Sequence, residues 1–239
     1  MVGKSQIKFI KNLQQKKYRN LHGQFVVEGI KSVKELVNAN FKVVEIYTCD
    51  KSLLDDMLFD ATYISEIDLK KISSLKTPNK ILGVFYKPEA KNIVNEDWVV
   101  ALDDVRDPGN LGTIIRLCDW FGVTHLVCSA NTVDCYNPKT LQATMGSIAR
   151  VNIVYTDLLN FLKKSEANIY GAFMDGNIVY KESLPQNGIL VMGNEANGVS
   201  PEIEALTTKK ISIPQFGNSD TESLNVATAT AILLSEIRR

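Results

Sequence analysis

The amino-acid sequence predicts an α/β fold in which a mostly parallel sheet carries helices on both faces. In the second half of the chain, short apolar runs alternate with segments of helical spacing. The apolar runs are continuous rather than alternating, which indicates strands buried on both faces, as in a parallel sheet covered by helices. Three of these runs end in polar or glycine-containing loops. We therefore expect a binding site at the carboxyl edge of the sheet.

A polar, proline-bearing stretch at residues 87–97, KPEAKNIVNED, divides the chain. We expect a domain boundary there, with a small α/β domain at residues 1–88 and a larger one at 98–239. In the smaller domain the pattern predicts strands at Gln24–Val27, Val43–Cys49 and Ile81–Tyr86, and helices at Gly29–Asn38, Leu53–Phe59 and Ile67–Ile72.

The larger domain shows the alternation of strands and helices more clearly. Strands are predicted at Trp98–Leu102, His125–Cys128, Asn152–Tyr155, Ile169–Phe173, Ile189–Met192 and Ile211–Ile213. Helices are predicted at Leu111–Phe121, Pro138–Ser147, Leu158–Lys164, Pro201–Leu206 and Ser223–Ile237.

Composition excludes some classes of function. The 239 residues are 45% hydrophobic, and 27 Lys and Arg balance 27 Asp and Glu. Zero net charge argues against a protein that coats nucleic acid by charge alone. Residues 1–31 still hold a local excess of cations, which is either a basic patch or an ordinary solvated helix face. These cations are Lys4, Lys8, Lys11, Lys16, Lys17, Arg19 and Lys31.

Cysteine usage and hydropathy indicate a cytoplasmic protein. Cys49, Cys118, Cys128 and Cys135 form no CxxC pair and lack a histidine at metal-ligand spacing, so we expect reduced thiols and no metal. No run approaches the roughly 18 apolar residues of a membrane helix. The first residues lack the apolar core of a signal peptide.

The first of the three loops, residues 104–110, reads DVRDPGN. Its Pro-Gly pair favours a tight turn, and Asn110 is a candidate helix N-cap. Arg116 lies six residues further along the predicted helix, and its planar, permanent charge suits phosphate. A simple helix cap and a surface arginine are the alternatives.

The second loop is residues 193–200, GNEANGVS, and the third leads from Pro214 to a helix predicted to begin at Ser223. Gly193 ends a strand, where a missing side chain lets a ligand approach the backbone. Glu195 is either a functional carboxylate or a capping acid. Ser223 and Asn225 are either site residues or ordinary helix-start residues.

Other enzyme classes find little support. The chain contains no P-loop, no G-x-G-x-x-G after the first strand of the second half and no G-x-S-x-G elbow. The missing glycine fingerprint disfavours a nucleotide-binding oxidoreductase. The two histidines, His22 and His125, offer no Ser-His-Asp arrangement.

The segments NLGTIIR, GNEANGVS and IP…ESLNVA together resemble the motifs of the SpoU (TrmH-like) family of RNA ribose 2′-O-methyltransferases, in the SPOUT superfamily. The resemblance covers residues 98–239. The first 88 residues, through EGIKSVKELV, are similar to that family's accessory substrate-binding domain, which itself resembles a small ribosomal protein.

The resemblance implies a C-terminal trefoil knot, a pocket for S-adenosylmethionine, a homodimer and an RNA substrate, either ribosomal or transfer RNA. It implies that the cofactor-binding residues are Met192, Gly193, Ile213 and Leu224. It implies that the catalytic or RNA-facing residues are Asn110, Arg116, Glu195, Ser223 and Asn225. The segment 215–222 is longer and more acidic than the family pattern.

The alternative is a non-catalytic RNA-binding or ribosome-assembly protein with the same fold. A catalytically dead relative is expected to lose Asn110, Arg116 or the pair Ser223 and Asn225, and all four are present.

Overall fold

The computed structural model describes residues 2–55, 60–94, 96–216 and 223–239. Up to residue 86 the elements are α1 Lys4–Asn12, α2 Lys16–His22, β1 Gln24–Glu28, α3 Ile30–Asn38, β2 Val43–Thr48, α4 Ser52–Asp55, β3 Thr62–Tyr63, α5 Glu66–Ile72 and β4 Ile81–Tyr86. From residue 98 they are β5 Trp98–Leu102, α6 Pro108–Trp120, β6 His125–Ser129, α7 Pro138–Thr144, β7 Asn152–Thr156, α8 Leu158–Lys164, β8 Ile169–Ile178, β9 Gly188–Met192, α9 Pro201–Glu204, β10 Lys209–Ser212 and α10 Val226–Ile237.

The chain folds into two compact units, which are not the two halves of the sequence. The first unit comprises Met1–Glu89 together with Asp134–Ala149. The second comprises Ala90–Val133 and Arg150–Arg239. The segment between β6 and β7 thus belongs to the first unit, although its sequence lies well inside the second half.

The second unit is built on a parallel sheet. Its described strands follow the order β10-β8-β9-β5-β6-β7, and every neighbouring pair runs parallel. All positions of β5 and β9 are buried, which is why both read as continuous apolar runs. The predicted fold class is confirmed.

The helices of this unit bury apolar faces at their contacts. α8 and α9 enter a cluster with β5 and β9 through Leu158, Leu162 and Ile203. α10 packs against α6. Within α6, burial raises the pKa of the Cys118 thiol to about 12, so this thiol stays protonated and acts as a core residue.

Strand β8 departs from the prediction that it ends at Phe173. Lys210 lies opposite Gly171, but the next residue, Ile211, lies opposite Asn177. Residues 172–176 therefore bulge out of the pairing. Gly176 makes this possible, because a Cβ there would lie 2.7 Å from backbone atoms of Ile211.

The first unit contains a mixed sheet whose described strands follow the order β1-β4-β2-β3, with the β1–β4 and β2–β4 pairs antiparallel. The three strands predicted here and the helices α3 and α5 are confirmed. The predicted helix at Leu53–Phe59 is represented by Ser52–Asp55, and positions 56–59 lie outside the described residues. The helices α1 and α2 and the short strand β3 were not predicted.

A buried ion pair joins α2 to the segment that begins at Asp134. Arg19 is 2% exposed, and its Nε and Nη2 donate to Oδ2 of Asp134 at 2.9 and 2.6 Å. Its Nη1 donates to the carbonyl oxygens of Leu13 and Gln14 at 3.0 and 2.7 Å. Arg19 is therefore a structural cation and does not contribute to an accessible basic patch.

None of the described helices has the length and hydrophobicity needed to cross a lipid bilayer. The four cysteines are free thiols, and Cys118, Cys128 and Cys135 are buried.

The buried pair makes a stability prediction. Asp134→Asn should lower the free energy of unfolding by about 3 kcal/mol, because it leaves the Arg19 charge buried without its counter-ion. The measurement is urea unfolding followed by circular dichroism. As a control, Glu182→Gln breaks a half-exposed pair with Lys209 and should change the same quantity by less than about 1 kcal/mol. Equal, small effects of both substitutions would contradict the role given to the Arg19 pair.

Candidate functional site

Three loops meet at the carboxyl edge of the parallel sheet. The first loop (residues 104–110) follows β5, the second (193–200) follows β9, and the third (213–225) follows β10. Residues 213–216 and 223–225 are the described parts of the third loop. Because β5 and β9 are neighbours and all six described strands run parallel, these loops lie at the same edge.

The first loop ends in a helix cap that differs from the prediction. α6 begins at Pro108, and its N-cap is Asp107, whose Oδ1 accepts the backbone N–H of Asn110 at 2.8 Å. Proline suits the first helical position, where the missing N–H is not needed. Asn110 is therefore not the N-cap, and its side chain remains available for contacts outside the helix.

The second loop is held against the first strand end by backbone and side-chain contacts. Asp103 donates its N–H to the carbonyl of Met192 at 2.9 Å, and its Oδ2 accepts the N–H of Ser200 at 2.7 Å. Asn194 Nδ2 donates to the carbonyl of Asp104 at 2.7 Å. Ser200 occupies the N-cap position of α9, but its side chain makes no capping hydrogen bond.

Two glycines allow the second loop to fold back on itself. A Cβ on Gly193 would lie 2.2 Å from the backbone of Gly198 and Val199, so no other residue fits there without moving the loop. Gly198 has a φ of 68°, which side-chain-bearing residues rarely adopt. Gly193 is therefore required by the close approach of the chain's own backbone, and the approach of a ligand at this position stays a prediction.

A relay of polar side chains links all three loops. Glu195 Oε1 accepts from Asn110 Nδ2 at 3.0 Å, and Asn110 Oδ1 accepts from Asn225 Nδ2 at 2.9 Å. Asn225 Oδ1 in turn accepts the N–H groups of Ala227 and Thr228 at 3.0 and 3.2 Å, as the N-cap of α10. Since an ionised carboxylate only accepts, each amide in the relay has one consistent orientation.

Glu195 also closes the start of α6. Its Oε2 accepts the N–H of Arg106 and its Oε1 accepts the N–H of Asp107, both at 3.2 Å. Burial raises the pKa of Glu195, but the hydrogen bonds from Asn110 and from the backbone outweigh it, so the pKa lies below its ordinary value of 4.5. The carboxylate is ionised at neutral pH and lies at the positive end of the helix dipole.

A cleft of about 770 Å³ opens beside this relay. The implied cofactor residues Met192, Gly193, Ile213 and Leu224 all line it, as do Glu195, Ser223 and Asn225. Its walls are mostly apolar side chains and backbone, which is the usual character of a small-molecule site.

Further residues of the cleft were missed by the sequence reasoning. The bulge in β8 supplies Ala172, Phe173 and Met174, and the third loop supplies Phe216. Phe216 is 84% exposed and Met174 is 62% exposed, so apolar surface is available at the mouth. Gly171, inside the predicted strand Ile169–Phe173, and Gly176, shortly after it, were the signal that could have located the bulge.

The non-helical part of the third loop extends further along the chain than predicted. The helix begins at Val226, after the N-cap Asn225, rather than at Ser223. Ser223 and Leu224 therefore precede the helix as non-helical residues beside the cleft. The unusual part of this loop, positions 217–222, lies outside the described residues.

Arg116 lies apart from the relay and the cleft. It is exposed on α6, one turn before Trp120, which is 82% exposed. Within the described part of the chain it makes no ion pair or side-chain hydrogen bond. A single chain therefore brings together eight of the nine expected site residues, and Arg116 is the exception.

Comparison with known proteins assigns both parts of the sequence. Residues 97–235 match the model of the SpoU rRNA Methylase family. Residues 4–83 match the MRM3-like substrate binding domain.

Individual relatives align over nearly the whole chain. The 23S rRNA (guanosine(2553)-2′-O)-methyltransferase RlmP of Bacillus subtilis is 32% identical over 97% of this chain and 95% of its own length. A TrmH-family structure from Porphyromonas gingivalis is 38% identical, with a TM-score of 0.91 over 100% of this chain and 98% of that one.

A third relative has been solved with a bound small molecule. The AdoMet-bound rRNA methyltransferase from Sinorhizobium meliloti is 27% identical, with a TM-score of 0.87 over 100% of this chain and 96% of that one. The family model matches more than half of the sequence and the relatives align end to end, so this chain belongs to the SpoU rRNA methylase family.

Proposed function

We propose that this protein transfers a methyl group from S-adenosylmethionine to a ribose 2′-hydroxyl in structured RNA. The observation that carries the proposal is the relay from Glu195 through Asn110 to Asn225, which ties the three family motifs together beside one apolar cleft. The family membership and the AdoMet-bound relative support the same donor.

The cleft fits S-adenosylmethionine on its own features. Its volume of about 770 Å³ is ample for a molecule of that size, and its walls are mostly apolar side chains and backbone. Met192, Gly193, Ile213 and Leu224 are the residues that would hold it. When bound, this cofactor supplies an electrophilic methyl group on a sulfonium.

Residues of the protein itself would position the RNA and supply the positive charge of the site. The relay fixes the first and third loops relative to each other, so that Asn225 would hold the loop in place and Ser223 beside it would face the RNA with little reorganisation. Arg116 would hold the phosphate beside the target ribose and stabilise the developing alkoxide. A guanidinium has a pKa above 12 and is a poor base, so we assign it this role rather than proton removal.

Ribosomal RNA is the first substrate to test. The Bacillus subtilis relative acts on a guanosine of 23S rRNA and aligns over nearly the entire chain. A relative from Aquifex aeolicus that acts on transfer RNA covers 60% of this chain. The substrate-binding match at residues 4–83 accords with an RNA-binding role for residues 1–88 and methyl transfer by residues 98–239.

We also propose a cytoplasmic homodimer with a trefoil knot in the C-terminal region. The exposed face of α6 that carries Arg116 and Trp120 is suited to contact a second copy. In that arrangement Arg116 of one chain would complete the cleft of the other. The tight crossing of Gly176 over Ile211 is compatible with an entangled chain.

The proposed activity is tested with labelled donor. Purified protein incubated with methyl-tritiated S-adenosylmethionine and unmodified 23S rRNA should label the RNA, and nuclease digestion should recover the label in a 2′-O-methylated nucleoside. Gly193→Ala should abolish labelling and weaken donor binding about 100-fold or more by calorimetry, because the added methyl group displaces the second loop. Circular dichroism controls for folding, and wild-type affinity in the variant would refute the cleft assignment.

Complementation tests whether two chains share each site. Arg116→Ala and Gly193→Ala should each be nearly inactive as homodimers. A heterodimer purified through two different tags contains one site with both intact residues, and should recover about half of the wild-type activity.

If Arg116 serves the cleft of its own chain, the heterodimer contains no intact site and stays inactive. Light scattering on both parent variants verifies that they remain dimers, and a monomeric wild type would contradict the shared site directly.

Glu195→Gln tests the relay through pH. The substitution should lower the free energy of unfolding at neutral pH, because one carboxylate oxygen is replaced by an amide donor that faces N–H groups. The pKa of Glu195 is lower in the folded protein than its ordinary 4.5, so the difference should be constant above pH 4.5 and shrink as the pH falls below it.

Urea titrations of both proteins across this pH range measure the effect. A difference that stays unchanged in acid would show that the ionised carboxylate is not its cause.

A further inference from the structure

Exposed lysines cover one side of α1 and the start of α2. Lys4, Lys8 and Lys11 follow the i, i+4, i+7 spacing that places side chains on one helix face, and Lys16 and Lys17 open the next helix. All five are exposed, and none forms an ion pair with another described residue. We refer to these five side chains as the lysine face.

The opposite side of α1 is fixed in the core of the first unit. Ile10 and Leu13 are each 1% exposed and belong to a cluster that includes Leu69, Ile72 and Val84. The lysine face is therefore carried by a packed helix, which holds its charges in place and reduces the entropy lost when they bind a partner.

The charge arrangement works against the helices that carry it. Neither α1 nor α2 has an acidic residue in its first turn, and both begin with lysine, where the helix dipole favours negative charge. Lys4 and Lys8 are also like charges one turn apart, which destabilises a helix. Lys11 lies in the last turn of α1, where the dipole favours a cation, but local stability does not explain the lysines that begin α1 and α2.

A neighbouring helix of the same unit shows the favourable arrangement. α5 has Glu66 and Asp68 in its first turn and Lys70 and Lys71 in its last. The contrast indicates that the lysines of α1 and α2 serve a partner that supplies the negative charge they lack.

We propose that the lysine face binds the phosphate backbone of RNA independently of base sequence. Ammonium groups are compact point charges suited to phosphate, and five of them lie on these two helices of a protein whose net charge is zero. This inference rests on the proposed function, because it takes RNA as the partner. It adds the surface of the first unit that contacts this RNA.

The test compares two variants of equal charge. Lys4→Gln/Lys8→Gln/Lys11→Gln removes three charges from the lysine face, and glutamine keeps a similar helix propensity. The matched control, Lys70→Gln/Lys163→Gln/Lys164→Gln, removes three exposed charges from the last turns of α5 and α8.

Binding of a fluorescent RNA duplex of arbitrary sequence is measured by anisotropy between about 50 and 200 mM salt. The slope of log affinity against log salt should fall by about three in the first variant, roughly one for each lysine that no longer neutralises a phosphate, and should stay at the wild-type value in the control. The first variant should melt close to the wild type, because Lys4→Gln and Lys8→Gln remove unfavourable helix charges whereas Lys11→Gln removes a favourable one from the last turn of α1.

Equal slope changes in both variants would show an effect of net charge and overturn the assignment, and so would an unchanged slope in the first. A second variant, Lys16→Gln/Lys17→Gln, should lower the slope by about two and keeps the proposal testable if the first fails to fold. Binding to anionic phospholipid vesicles without binding to the duplex would also overturn it.

A methyl-transfer assay distinguishes failure of this inference from failure of the proposed function. If wild-type protein labels RNA and the lysine variants bind and label it equally well, the lysine face is wrong and the proposed function stands. If wild-type protein labels no RNA while the duplex still binds through these lysines, the proposed function is wrong and the lysine face stands.

Discussion

The structure of the site depends on the hydrogen-bonded relay from Glu195 to Asn110 to Asn225. These residues lie 85 and 115 positions apart in the sequence, so the relay forms only when the parallel sheet has brought its strand ends together. It consumes the hydrogen-bonding capacity that the loops would otherwise offer to water, and one carboxylate sets the orientation of both amides. Because the relay orders the loops when the protein folds, their conformational entropy is lost during folding and not when a ligand binds.

Sequence reasoning located the fold and the strand ends because both depend on local patterns. Buried strands read as continuous apolar runs, and α8 has the bounds predicted for it. The three motif loops could be placed together because each follows a strand of the parallel sheet, and the carboxyl ends of parallel strands lie at one edge. The role of Asn110 was harder to predict. Asp107 and Asn110 are both good capping residues three positions apart. Asp107 is the cap, and the partner of the Asn110 side chain is Glu195, which is distant in sequence.

Other features escaped prediction because they depend on long-range packing. In the bulge of β8, Ile211 lies against Gly176, and the two glycines near Phe173 do not by themselves tell where the strand pairing resumes. The helices α1 and α2 carry charges that disfavour helix formation, and burial of residues such as Ile10 in the first unit overrides this preference. Residues 134–149 likewise join the first unit through tertiary contacts, among them the pair of Arg19 and Asp134 and the packing of α7 on β1.

Charge is used in two different ways in this neutral chain. Arg19 and Glu195 are each satisfied by several hydrogen bonds, so their charges organise the protein itself. Arg116 and the lysine face are exposed and carry no counter-ion within the described residues, so their charges are available to a partner. A phosphate backbone satisfies both sets through the same chemistry, since guanidinium and ammonium groups each bind it without a protein carboxylate. The proposals for Arg116 and for the lysine face thus rely on the same chemistry, in which phosphates of a partner would neutralise exposed cations.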